Sequence, residues 1–265
     1  MEPHELSKIL EILSDFKLNQ MFDNDKEKET FMIEAEEYFS LNLNIFSQED
    51  RLRTLAALVR MDPNLNVNLI VDSIDWGLLS KSSNEGLLYL LDLMIGLEIR
   101  VKNWALESDL LNFDRIFNSI NSAVEYQSVN QFVNPNRLEY CILNLGVLGR
   151  GEVELWTFLE DLFEFNREKL SPTQRALVYE GIYAGRGMIE STDRFLQDLD
   201  TSFTSGVTSE GIISLFWIAM RLEAIKMIKI KEETQNEFVN FMKKLKIKEQ
   251  NESSLLKYFF LFVIL

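Results

Sequence analysis

The sequence predicts an all-α protein: an α-solenoid in which antiparallel helical hairpins stack into a right-handed superhelix, with a period of about 35–37 residues. Three observations predict it. Apolar residues recur at i, i+3, i+4 and i+7 over most of the chain. Proline and glycine are scarce, at 4 and 11 in 265 residues, and no Asn-Gly or Asp-Gly hairpin signal occurs. The sequence also resembles itself at offsets of 35–37 residues.

The elements follow in order. Leu6, Ile9, Leu10, Leu13 and Phe16 draw one apolar stripe on a helix over about 3–20, with Pro3 in its first turn. A helix over 25–41 turns Phe31, Ala35, Tyr38 and Phe39 inward. Ser47 before Glu49 and Asp50 reads as an N-cap, and Leu52, Leu55, Ala56 and Val59 form the next stripe. Asp62-Pro63-Asn64 ends that helix and starts another, so the briefly alternating 65–71 is read as helix rather than strand. Further helices are expected at 84–101, 104–127 (broken near Asn112), 135–149, 152–168, 171–186, 188–203, 208–228, 232–245 and 252–264. The polar breaks at 128–136 and 201–208 are too short to divide the chain. The whole therefore reads as a single repeat domain: an acidic helical cap over 1–46, hairpins over 47–250 and an apolar C-terminal helix over 251–265.

The repeat is clearest where Leu148-Gly149-Arg150-Gly151-Glu152-Val153-Glu154 matches Ala184-Gly185-Arg186-Gly187-Met188-Ile189-Glu190, 36 residues on. Phe158-Leu159-Glu160-Asp161-Leu162 matches Phe195-Leu196-Gln197-Asp198-Leu199 at 37. Arg60 follows Ser47 by 13 residues, as Arg186 follows Thr173 and Arg221 follows Thr208, and Arg100 fits the series less well. A glycine can close a helix in the left-handed region, and an arginine in the last turn favours the negative end of the helix dipole. The alternative is that Arg60, Arg150, Arg186 and Arg221 line the turn edge as a ladder that reads a ligand.

The segment Leu170-Ser171-Pro172-Thr173-Gln174, with Tyr183-Ala184-Gly185-Arg186-Gly187 and then Phe195-Leu196, resembles the heptatricopeptide and octotricopeptide helical repeats found in FAST-kinase-like organellar proteins. Residues 134–165 look like a second copy, and the Asp-Pro turn at 62–63 is similar to that of HEAT-like repeats. The resemblance covers about a quarter of the chain. It implies a helical superhelix and RNA-linked work in mitochondria or plastids. The acidity of this chain, and its lack of a basic concave ladder, depart from that pattern and leave room for a relative that became a protein-binding scaffold.

Composition narrows the chemistry. With 42 acidic against 27 basic residues the net charge is −15, and nucleic-acid binding rests largely on Lys and Arg. The imbalance is uneven. Residues 1–50 carry −9, whereas 226–248 carry +4 through Lys226, Lys229, Lys231, Lys243, Lys244, Lys246 and Lys248. That stretch reads as a solvated helix face, with docking to an acidic partner as the alternative. Asp23 to Glu34 has the acidic spacing of a calcium loop, but Lys28 stands where the glycine of its sharp turn belongs, so an acidic helix start explains it better. His4, at a chain end expected to fray, is a poor general base, and Cys141, between Tyr140 and Ile142, reads as a small buried hydrophobe. No phosphate-cradling glycine loop occurs. No enzyme activity, cofactor or metal is expected. The N-terminus lacks a basic, apolar secretory pattern, so an intracellular protein is expected, mitochondrial if the repeat resemblance holds and cytoplasmic otherwise.

The last eleven residues, Leu255 to Leu265, are apolar except for Lys257. As a helix they span roughly 17 Å, too little to cross a bilayer. They read as a capping helix, as a segment buried in a partner, or as a shallow membrane contact. Leu255, Tyr258, Phe259, Phe262 and Leu265, with Lys243, Lys244 and Lys246, are the candidate partner-binding residues. The functional expectation is a scaffold or accessory subunit bound to protein subunits of a larger assembly. An organellar RNA-binding repeat protein, or an acidic inhibitor of a basic partner, are the alternatives.

Overall fold

A computed structural model describes residues 2–15, 25–61, 74, 81–104, 113–125 and 127–245. Every regular element among them is helical: α1 (Pro3–Asp15), α2 (Asp25–Leu41), α3 (Gln48–Met61), α4 (Asn84–Trp104), α5 (Phe113–Val124), α6 (Pro135–Leu148), α7 (Val153–Asn166), α8 (Pro172–Arg186), α9 (Thr192–Thr201), α10 (Ser209–Ala224) and α11 (Glu232–Lys244). Short 3-10 turns follow α2 and α7. The helices expected at 65–71 and 252–264 lie outside the described residues. The chain divides into two units, Met1–Arg137 and Leu138–Leu265.

In the first unit α1 packs on α3 and α3 on α4. Leu6 and Leu10 of α1 and Leu52, Leu55, Ala56 and Val59 of α3 are all buried, and each leucine or valine among them contributes about 1.5–3 kcal/mol. Helix α4 has Leu87, Leu88, Leu90, Leu91, Leu93, Met94 and Ile95 fully buried, so this stretch lies inside the unit rather than on its surface. At Gly96 it approaches α3 so closely that a Cβ would meet Val59 Cγ1 at 2.8 Å. Of the inward side chains expected on α2, Ala35 and Phe39 are buried, and Phe39 meets Phe46 edge to face at 5.1 Å. Phe31 and Tyr38 are half-buried, and Met32 takes a core place instead. The acidic stretch from Asp25 onward is helical, as an acidic helix start requires.

In the second unit α8 packs on α10 and against α7. It also touches α6 backbone to backbone. A Cβ on Gly146 would lie 2.3 Å from the Gly181 carbonyl oxygen, and one on Gly181 would lie 2.5 Å from that of Ile142. Phe163, Tyr179 and Phe195 bind α7, α8 and α9 together in an edge-to-face series at 5.2 and 5.1 Å. Phe216 of α10 stacks on Phe238 of α11 at 3.9 Å. Cys141 is fully buried.

Capping sets the helix starts. Ser47 Oγ accepts from the Asp50 N–H, and Ser83 Oγ accepts from the Gly86 N–H. Ser171 forms a capping box with Gln174, and Thr208 Oγ1 accepts from the Gly211 N–H. Ser171, not Thr173, thus caps α8, and Thr173 Oγ1 instead accepts from the Thr208 N–H of the next cap. Two helices are shorter than their periodicity suggests. Gly187, at φ 71°, ends α8, and the chain bends until Thr192, so α9 begins there rather than at 188. Helix α10 ends at Ala224 because the Met227 and Lys226 N–H groups turn back to the carbonyls of Leu222 and Glu223.

Candidate functional site

Among the described residues, a dense cluster of ionisable groups lies inside the first unit, where α1, α3 and α4 meet the start of α6. Helical spacing puts Glu49, Asp50 and Arg53 on one face of α3, and Glu85, Tyr89 and Asp92 on one face of α4. Arg137 is 3% exposed and spreads its guanidinium over three carboxylates: Glu11 at 2.8 Å, Glu85 at 2.9 Å and Asp92 at 3.3 Å. Asp92, 1% exposed, is also held by Arg60 through two hydrogen bonds, at 2.7 and 2.9 Å. Arg53 reaches Asp50 and Glu49, each at 3.1 Å.

Tyr89 sits at the centre. Two guanidinium carbons lie near its ring, that of Arg137 at 4.0 Å from the centroid and that of Arg53 at 5.1 Å. Its hydroxyl accepts from Arg53 Nε at 2.8 Å and donates to Glu11 Oε1 at 2.8 Å. His4 is not frayed as the sequence suggests: its Nδ1 lies 2.9 Å from Asp50 Oδ1, which also accepts from Ser7 at 3.0 Å.

The electrostatics follow the burial. Burial pushes the Tyr89 hydroxyl and the Glu85 and Asp92 carboxyls up, and the neighbouring guanidiniums pull them only part of the way back. Burial alone would depress Arg137, but Tyr89, Glu11, Asp92 and Glu85 outweigh it and hold the proton more firmly. Burial also opposes charge on Asp50, yet hydrogen bonds from Ser47, His4 and Ser7, with Arg53 beside them, bring it below its ordinary value. A tyrosine that keeps its proton, beside cations that keep theirs, is poorly suited to proton transfer. Its arrangement suits fastening four helices to one another.

The second unit repeats the device. Arg167 donates to the Tyr179 hydroxyl at 2.6 Å and to Asp198 at 2.7 Å, and Arg175 reaches the same carboxylate at 3.2 Å. Arg186, at the end of α8, joins Glu160 of α7 to Glu190 of the following turn. Burial pushes Glu160 up to about 7, with Arg186 opposing and Glu190 adding to the rise.

The arginines of the series differ in their surroundings. Arg60 and Arg186 are committed to carboxylates on neighbouring helices, and Arg221 lies over the Trp217 ring at 4.4 Å. The side chain of Arg100 lies outside the description. The two Gly-Arg-Gly motifs converge on one side chain. Trp156 donates its indole N–H to the Arg150 carbonyl at 3.1 Å, and a Cβ on Gly185 would meet its ring at 2.1 Å. The closing glycines are Gly149, at φ 65°, and Gly187, at φ 71°, so the motifs match in sequence but stand two residues apart in helical register.

Of the predicted partner-binding residues, Lys243 and Lys244 stand exposed in the last turn of α11. Lys246, Leu255, Tyr258, Phe259, Phe262 and Leu265 lie outside the described residues. A cleft of about 400 Å³ is lined by Asp193, Leu196, Gln197, Asp200, Thr201, Lys229 and Lys231. Its charges are balanced, and Lys231 is paired with Asp200. Sequence reasoning did not single out Arg53, Glu85, Tyr89, Asp92 or Arg137. The available signal was a charge inside an apolar run, as in Leu90-Leu91-Asp92-Leu93-Met94. No described helix is long and apolar enough to cross a membrane. Comparison with protein-family models, with curated proteins and with solved structures finds no match for this chain.

Proposed function

We propose that this chain is a non-enzymatic helical-repeat scaffold, an accessory subunit of a larger protein assembly. One observation carries the reading. Helices lying side by side start from capping residues spaced by one repeat: Ser47 and Ser83 are 36 residues apart and begin α3 and α4, and Ser171 and Thr208 are 37 apart and begin α8 and α10. That spacing supports stacked hairpins, a solenoid, whose product is surface rather than a reaction centre. The buried ion pairs support it too, since Arg60, Arg137 and Arg167 each tie together different elements of one unit. A mitochondrial host is the natural setting if the repeat resemblance reflects descent.

Affinity purification of the tagged full chain from its native source, followed by size-exclusion chromatography and mass spectrometry, tests the proposal. The expected result is co-migration with stoichiometric protein subunits, lost when residues 255–265 are deleted. A monodisperse chain without partners would refute it. Binding to pooled RNA that falls steeply with salt would favour the RNA-binding alternative instead.

A further inference from the structure

Two described surfaces match each other in charge and in apolar content. The first is the outer face of α2. Lys26, Glu29, Ile33, Glu37 and Leu41 follow one another at helical spacing, with Glu27 and Glu34 beside them, and all are exposed. Ile33 is 59% and Leu41 75% exposed. The patch therefore holds four carboxylates and one ammonium around two apolar knobs.

The second surface is the turn between α10 and α11. Arg221, Ile225, Lys226, Met227 and Lys229 are all exposed there, Ile225 by 60%. Glu223, beside them, is taken up by the Ile230 N–H at 2.9 Å. Glu232 and Glu233, also exposed, come after the turn, in the first turn of α11, where the helix N-terminus favours them. Three cations thus surround two apolar side chains, on a protein whose net charge is −15.

The turn is also held in an unfavourable form. Lys226 has φ 62°, the one positive φ at a non-glycine position among the described residues. Gly149 and Gly187 close the equivalent turns after α6 and α8. A lysine in that region costs about 1 kcal/mol relative to glycine, so the sequence retains a charge at the tip of the turn at the expense of stability. Backbone strain of this kind collects at functional positions.

We propose that α2 of one molecule docks on the α10–α11 turn of a second copy, a head-to-tail contact between two different surfaces. Ile33 and Leu41 cover Ile225 and Met227, and the glutamates face Arg221, Lys226 and Lys229. The contact is independent of the scaffold proposal, because it requires no partner other than this chain. Opposite charges at contact resist salt better than the long-range repulsion between two acidic molecules, so association persists at physiological ionic strength.

Sedimentation of the full chain over micromolar concentrations at about 150 mM salt tests it with two charge-reversed variants, E29K/E34K/E37K and K226E/K229E. The wild type is expected to self-associate reversibly. Each variant alone is expected to do so at least about tenfold more weakly, with unchanged circular dichroism and Tm. A mixture of the two variants restores complementarity and is expected to form a mixed complex. A wild type that stays monomeric overturns the proposal. So does association that neither variant weakens, or a mixture that fails to recover it.

Discussion

Replacing Arg137 by alanine tests the buried ion cluster most directly. The substitution removes a guanidinium that serves Glu11, Glu85 and Asp92 at once. The losses are unequal. Asp92 keeps both hydrogen bonds from Arg60, and Glu11 keeps the Tyr89 hydroxyl, but Glu85 is left with the Asn134 N–H at 3.0 Å. Breaking a buried pair from one side costs about 3–5 kcal/mol, and the lost contact with the Tyr89 ring adds about 1 kcal/mol. The first unit should therefore lose roughly 4–6 kcal/mol at neutral pH.

The cost should shrink in acid. Glu85 and Asp92 already sit above their ordinary values, and loss of Arg137 raises them further. A carboxyl raised on folding favours the native state below its unfolded pKa, and that gain is lost as pH climbs through the folded one. The gap between wild type and variant thus narrows as pH falls. Urea unfolding followed by far-UV circular dichroism at pH 7.5 and pH 5 measures it, with hydrogen exchange on α1 and α4 locating the damage. A loss under about 1 kcal/mol, the value of a surface pair, would refute the reasoning. So would a loss that does not change with pH.

Three further outcomes are expected. Glu160, raised to about 7 in the fold from an ordinary 4.5, should make the second unit lose stability as pH rises from 4.5 to about 7, and Glu160→Gln should flatten Tm against pH over that range. Gly146→Ala and Gly181→Ala each force a methyl into a facing carbonyl and should cost about 3 kcal/mol by chemical denaturation. Lys226→Gly should stabilise the second unit by about 1 kcal/mol, read as a rise in urea midpoint without a change in slope.

The all-helical class was legible because apolar spacing and punctuation agree. Asp25–Leu41 coincides with its predicted bounds, and Ser47 caps the helix it was expected to cap. The ends of α9 and α10 were less legible, since backbone hydrogen bonding in the turns at Gly187 and Lys226 overrides a periodicity that continues past them. The spacing of the arginine series is visible in the sequence, but what an arginine does depends on which carboxylate lies across the helix boundary. Arg60 finds Asp92 32 residues away, and no local pattern announces that pairing. The anchoring of His4 is hidden for the same reason, because its partner, Asp50, lies 46 residues on.

The touching main chains of α6 and α8 carry a consequence for how this molecule can change over time. Elsewhere a substitution is absorbed when a neighbour turns to another rotamer. At Gly146 and Gly181 there is no side chain to turn, and the opposing surfaces are carbonyl oxygens fixed by their own helices. Drift in this part of the sequence must therefore flow around the pair, through Ile142, Leu145 and Ile182, while the two glycines are inherited together or lost together with the spacing they set.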